Sequence, residues 1–265
     1  MINLESICKQ TQDIAIKVGS FIKEQQINIS TDVIENKGTH DFVTFVDKTA
    51  EAKIIDALKP LIPEAGFIAE EGTETHLGEE YNWIIDPLDG TTNYIHGLSP
   101  FAVSIALKKD NRIVLGVVYE ISLNECFYSW EGAPAYLNNK QIKVSNAQVV
   151  QNSLIGTGFP YRNFEQLDRY IDLLKYLCIN SQGVRRPGSA ATDLAYVACG
   201  RFDAFYEYGL QPWDVAAGAF LVKQAGGNVS DFLGEDNYIF GQEILAGNSS
   251  NFHEFKNCVQ KFMLK

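Results

Sequence analysis

Apolar residues recur at three- and four-residue steps through Leu4, Ile7, Cys8, Thr11, Ile14, Ala15, Val18, Phe21 and Ile22. That period predicts an amphipathic helix with one buried stripe. A second helix is expected after Thr44, with Ala50, Ile54, Ile55 and Leu58 inward and Pro60 and Pro63 closing it. The pattern then shortens to strand-length runs at 66–69, 81–86, 101–107, 113–119 and 125–130. The polar segment 108–112 reads as a turn, and so does Asn138-Asn139-Lys140.

Beyond about residue 150 the texture changes to alternation of strands and helices. Helical spacing covers 164–178, 189–199, 213–225 and 252–263, and short apolar runs at 154–157, 203–206 and 243–246 read as strands. The class is α+β, with two sheet-containing halves layered with helices, 1–145 and 146–265, and a soft boundary between them. The first half is expected to carry most of the acidic site residues and the second to complete the site.

The 265 residues carry 22 basic and 33 acidic side chains, a net charge of −11, with 46% hydrophobic residues. This composition excludes a largely disordered chain, and its sign argues against a nucleic-acid partner or a polybasic membrane anchor. Five widely spaced cysteines with no C-x-x-C read as reduced thiols. No basic-then-apolar leader opens the chain and no apolar run reaches the ~18 residues of a membrane span. The expectation is a cytoplasmic protein.

The segment most suggestive of chemistry is Trp83-Ile84-Ile85-Asp86-Pro87-Leu88-Asp89-Gly90-Thr91-Thr92-Asn93. An apolar strand meets two carboxylates three residues apart, and Pro87 is expected to end the strand and stiffen the loop. Asp86, Asp89 and the Leu88 carbonyl between them can converge as hard oxygen ligands suited to Mg²⁺. Gly90, Thr91 and Thr92 then offer successive N–H groups and hydroxyls where a phosphate can sit. The plain alternative is an Asp-rich turn capping a helix.

Glu70-Glu71 closes another short strand, and Asp47 follows Thr44 at capping-box spacing. Glu207 and Asp214 flank the start of an apolar helix, where Asp214 reads equally well as a cap. Gly188-Ser189-Ala190-Ala191 opens a further helix after Arg185, Arg186 and Pro187. His40, His76, His96 and His253 lack paired metal-ligand spacing, and serine-hydrolase, P-loop and dinucleotide fingerprints are missing.

Taken together, Glu70-Glu71, the segment from Asp86 to Asn93 and Trp213-Asp214 resemble the signature set of the inositol monophosphatase family. The similarity extends to Asp41-x-Val43-Thr44-x-x-Asp47, to Gly188-Ser189-Ala190-Ala191 and to Ala225-Gly226-Gly227, spanning about residues 37–227. The resemblance implies a layered αβαβα sandwich of the sugar-phosphatase type, Mg²⁺-dependent hydrolysis of a small phosphate monoester, inhibition by lithium, and a homodimer. By position it implies Glu70, Asp86, the Leu88 carbonyl, Asp89 and Asp214 as metal ligands. Thr91, with Glu70 beside it and Asp47 behind, is implied to orient the attacking water. Gly90, Thr91 and Thr92 are implied to hold the phosphate, and Asp89, Gly188, Ser189, Ala190 and Glu207 to face the alcohol. Ser189 stands where many members carry Thr, keeping the hydroxyl.

Within that resemblance, inositol 1-phosphate is the expected substrate. Glu207 suits ring hydroxyls and repels a second phosphate, and Asn93-Tyr94-Ile95-His96-Gly97 has the inositol-monophosphatase form. Arg185 and Arg186 are expected to face solvent or a subunit interface; pointing inward, they would favour a bisphosphate nucleotidase or fructose-1,6-bisphosphatase reading. A metal-binding scaffold is the alternative outside enzymology.

Overall fold

The computed structural model describes residues 2–26, 34–38, 41–161 and 163–264, and for 34–38 and 41–44 the backbone alone. His40 and the side chains of Asp41, Val43 and Thr44 lie outside the described residues. The first half of the chain forms α1 (Leu4–Gln26), β1 (Ile34–Gly38), β2 (Asp41–Thr44), α2 (Phe45–Leu58), β3 (Gly66–Ala69), β4 (Tyr81–Asp89) and α3 (Thr91–Ile95). It continues through β5 (Ala102–Lys109), β6 (Arg112–Glu120), β7 (Glu125–Trp130), β8 (Tyr136–Leu137) and β9 (Lys140–Gln141). The second half adds β10 (Leu154–Thr157), α4 (Leu167–Asn180), β11 (Gly183–Arg185), α5 (Ala190–Ala198) and β12 (Ala204–Tyr208). It ends with α6 (Pro212–Gln224), β13 (Asn228–Ser230), β14 (Glu243–Gly247) and α7 (Phe252–Met263).

Strands β3 to β9 make one seven-stranded sheet in sequence order, parallel at β3–β4 and antiparallel elsewhere. The other sheet has five strands in the order β11-β10-β12-β14-β13, with β10 parallel to both its neighbours. Three apolar clusters set the layering. Helix α1 buries Ile7, Cys8, Ala15, Val18 and Ile22, the stripe its period predicts, and α2 buries Ala50, Ile54, Ile55 and Leu58 beside them. Both cover one face of the large sheet, against Trp83, Ile85, Ile105, Val117 and Tyr119. The opposite face, with Ile84, Ala106, Val118 and Phe127, packs on α5 and α6, which also pack on Phe205, Ile244 and Ala246 of the second sheet. Helices α4 and α7 close the far side through Tyr170, Leu173, Phe255 and Val259. The result is five layers, αβαβα.

Helix α6 lies between two sheets and is apolar all round, with every residue from Val215 to Val222 buried. An outer helix such as α7 buries only Phe255, Val259 and Met263, one stripe facing inward.

One expectation about the acidic segment needs correction. Pro87 does not end the strand: β4 runs on to Asp89, which pairs with Ala102 of β5 after a register shift between Asp86 and Asp89. A proline lacks the N–H that a ladder requires, and a bulge is where a sheet tolerates that loss. The bulge therefore puts Asp86, Leu88 and Asp89 on a strand anchored at both ends.

Candidate active site

The seven-stranded sheet supplies the first acidic groups. Asp86 is buried, and its Oδ1 accepts the Leu88 N–H at 2.9 Å, which curls the bulge around the carboxylate. Gly90 follows at φ 94°, a left-handed conformation that also brings its Cα close to the Pro100 carbonyl, where a Cβ would lie 2.9 Å from that oxygen. This turn starts α3, so Thr91 and Thr92 sit in its first turn, and the Thr91 hydroxyl donates to the Leu88 carbonyl at 2.9 Å.

Asp89 reaches across to the second half. Its Oδ2 accepts the Ser189 hydroxyl and the Ala191 N–H, each at 2.7 Å, at the N-terminus of α5. Ser189 is itself the N-cap, accepting the Thr192 N–H at 3.3 Å. Asp214 combines both readings of its position. Its Oδ2 accepts the Gln211 N–H at 2.7 Å in a capping box on α6, while it lines the same cleft as Asp86 and Asp89.

Asp86, Asp89 and Asp214 each present an oxygen, and these oxygens lie within 4.8 Å of one another. Glu70 joins them at the cleft wall, where its charge acts on Asp86. Burial above all, then the charges of Glu70, Asp89 and Asp214, hold the Asp86 carboxyl far above the ordinary carboxylate range. Burial likewise pushes Asp89 up to about 6, against the opposing pull of the Ser189 and Ala191 hydrogen bonds and of the Arg186 charge. Such a cluster is costly as bare carboxylates, and its donors are all hard oxygens. A small divalent cation fits it on both counts.

The loop that carries Glu70 is held from below. The Glu70 N–H donates to the Ile85 carbonyl at 3.2 Å, continuing the β3–β4 pairing. Glu51 of α2, fully buried, then accepts the N–H groups of Glu71 at 2.8 Å and Thr73 at 2.7 Å.

A cleft of about 370 Å³ opens above the acidic cluster. Of the residues singled out in the sequence, Glu70, Asp86, Leu88, Asp89, Gly90, Thr91, Thr92, Gly188, Ser189, Ala190, Glu207 and Asp214 all line it. Asp47 does not. It is buried at the start of α2, behind α3, where its charge acts on the Tyr94 hydroxyl.

The far wall was only partly foreseen. Gly158, Phe159, Pro160 and Tyr161 line it, and their stretch carries no motif that would have marked it. Arg185 is exposed as expected, but Arg186 points into the cleft, contrary to the expectation that both arginines face outward. The alternation of side chains at the end of β11 separates them, and β11 is too short to show a period in the sequence. Glu51 was missed too, although an acid beside Ala50 and four residues after Asp47 falls on the inward stripe of α2. Asp193 of α5, buried and one turn beyond Ser189, also went unnoticed.

The family model described as the inositol monophosphatase family matches residues 3–263. The Nus factor SuhB of Escherichia coli is 44% identical over 235 residues, 88% of each chain. The crystal structure of the extragenic suppressor protein suhB from Bartonella henselae superposes with a TM-score of 0.90 at 36% identity, covering 97% of this chain and 99% of that one. The inositol monophosphatase from Anabaena superposes with a TM-score of 0.86 at 35% identity, covering 99% and 98%.

Proposed function

Because the chain belongs to the inositol monophosphatase family, we propose that it is a Mg²⁺-dependent phosphatase hydrolysing a small phosphate monoester, inositol 1-phosphate before others. The observation that carries this reading is the convergence of Asp86, Asp89 and Asp214, from two sheet-bearing halves, at the floor of a cleft whose far wall bears Glu207. Glu70, Asp86, the Leu88 carbonyl, Asp89 and Asp214 would hold Mg²⁺. When bound, the ion supplies an activated water and neutralises charge on the phosphate and the leaving oxygen.

The chain's own residues do the rest. Thr91, with Glu70 beside it and Asp47 behind α3, orients the attacking water. Gly90, Thr91 and Thr92 cradle the phosphate with N–H groups and hydroxyls. Asp89, Gly188, Ser189, Ala190 and Glu207 border the alcohol. Phosphoryl transfer needs positioning and charge neutralisation more than covalent chemistry, which this set supplies. The same reading makes the protein a lithium-sensitive cytoplasmic homodimer acting on small molecules, with no nucleic acid or membrane partner. No helix among the described residues is long and apolar enough to cross a membrane.

The relatives named Nus factor favour a second reading, in which this chain acts as a Nus factor and the cleft hydrolyses no phosphate monoester. Phosphate release separates the two. A panel of inositol 1-phosphate, fructose 1,6-bisphosphate, adenosine 3′,5′-bisphosphate and glycerol 2-phosphate is assayed with Mg²⁺ and with a chelator. Mg²⁺-dependent release from inositol 1-phosphate is expected. Release from none of them at saturating Mg²⁺ would overturn the phosphatase reading and leave the second.

A further inference from the structure

Two side chains in the cleft wall have polar atoms that the protein itself leaves unused. Glu207, on β12, is only 5% exposed, and its carboxylate accepts no hydrogen bond from any described residue. The backbone of Gly158 presses against it so closely that a Cβ there would fall 2.1 Å from the carboxylate. Its place is therefore fixed by packing and not by a polar partner.

Arg186 is held with equal firmness. Its guanidinium carbon lies 5.8 Å from the centre of the Phe159 ring and 5.7 Å from that of Tyr161, and one Nη donates to the Tyr161 hydroxyl. Another Nη would sit 2.7 Å from a Cβ on Gly188, so the side chain lies over that glycine. Its Nε is buried with no hydrogen-bond partner, and among the described residues it forms no ion pair within 4.0 Å. It is near enough to Glu207 for its charge to act on that carboxyl. One wall thus presents a fixed donor and a fixed acceptor, separated by more than a direct ion pair and both open to a ligand.

We propose that Arg186 and Glu207 form a donor–acceptor clamp that reads neighbouring hydroxyls on the alcohol part of the substrate, with Arg186 a specificity-determining residue. A hydroxyl both donates and accepts, so a polyol satisfies the two groups at once. A second phosphate dianion only accepts; it would suit Arg186 and be repelled by Glu207. This clamp rests on the phosphatase reading above, in which Glu207 already borders the alcohol of a polyol monophosphate; what it adds is Arg186 as the second group that reads the hydroxyls.

The test compares inositol 1-phosphate with cyclohexyl phosphate, which has the same ring and no free hydroxyls. The selectivity ratio of kcat/KM between the two is measured for the wild type, Arg186→Met and Arg186→Lys. Isothermal titration of both ligands gives a reading independent of turnover, and thermal unfolding checks that the variants fold. The ratio is expected to fall at least tenfold in Arg186→Met, about 1.4 kcal/mol of differential transition-state binding. Arg186→Lys should not restore it, because an ammonium lacks the planar fork. An unchanged ratio overturns the clamp. So does a wild-type preference for fructose 1,6-bisphosphate that Arg186→Met removes, since Arg186 would then hold a phosphate. Selective inositol 1-phosphate binding without turnover would keep the clamp and sink the phosphatase reading.

Discussion

Replacing Glu51 by Gln probes how the acidic cluster is held in place. The buried carboxylate accepts the Glu71 and Thr73 N–H groups, one on each oxygen. A carboxamide offers a single oxygen, so one N–H would face an NH₂ group and the other would lose a charged acceptor. Hydrogen bonds to charged groups contribute about 1.5–3 kcal/mol each, and an orphaned buried donor costs about 1–3 kcal/mol. A loss of roughly 3 kcal/mol is expected, a large share of the 5–15 kcal/mol that holds a typical domain. Its primary effect is local. The loop from Glu70 to Thr73 should open more often, and native-state hydrogen exchange at the Glu71 and Thr73 amides should accelerate by about two orders of magnitude. Urea unfolding should show a lower midpoint at unchanged slope. Divalent-ion affinity should fall in parallel, because Glu70 rides on the same loop. If both amides exchange at the wild-type rate and the midpoint does not move, the carboxylate does not hold this loop and the reasoning fails.

Asp89→Asn is expected to reduce turnover to below about one hundredth at saturating Mg²⁺, the loss of several kcal/mol of charge stabilisation. Its melting temperature should stay near wild type, because the amide oxygen still accepts from Ala191; near-wild-type turnover would refute the metal-ligand assignment. Thr91→Ala should lower kcat more than it weakens ion binding, since its hydroxyl acts on the water in the transition state; a raised KM at unchanged kcat would confine it to holding phosphate. The Asp89 carboxyl titrates at about 6 in the ion-free protein, above its ordinary 3.8. Protons therefore bind the folded state more tightly than the unfolded one, so ion-free stability falls as pH rises from about 4 through about 6. An ion competes with that proton and with the one that burial holds on Asp86, so calorimetric Mg²⁺ affinity should drop at least about tenfold per pH unit below about 6. Flat affinity between pH 5 and pH 7 would contradict the placement.

Much of this fold is written in periodicity. Helices α1 and α7 announce themselves because each has one wet face, and β5 to β7 because antiparallel strands of this length keep their apolar runs intact. What the sequence hid has local causes. Strands β11 and β13 are three residues each, shorter than any window that reveals a period. The continuation of β4 past Pro87 depends on a bulge that only the pairing with β5 creates. At the site, the acidic motif was legible because its residues are close in the chain. Arg186 and Glu51 were not, because what matters about them is direction: one turns inward where its neighbour turns out, and one carries charge on an apolar stripe.

The double employment of Asp89 and Asp214 bears on how relatives of this chain are to be sorted. Each carboxylate secures the opening turn of a central helix, Asp89 through Ala191 on α5 and Asp214 through Gln211 on α6. A descendant that abandoned hydrolysis and lived by contacts with other macromolecules would still suffer in folding if it discarded either one. A side-chain acceptor at these two positions is thus a poor witness to chemistry, since architecture alone is reason enough to keep an oxygen there, whether of an acid or of an amide. Better witnesses are side chains whose polar atoms bond to nothing in the scaffold. Glu207, held by no polar contact, is the clearest of these, and a chain that lets it drift while retaining both aspartates has changed its occupation without changing its shape.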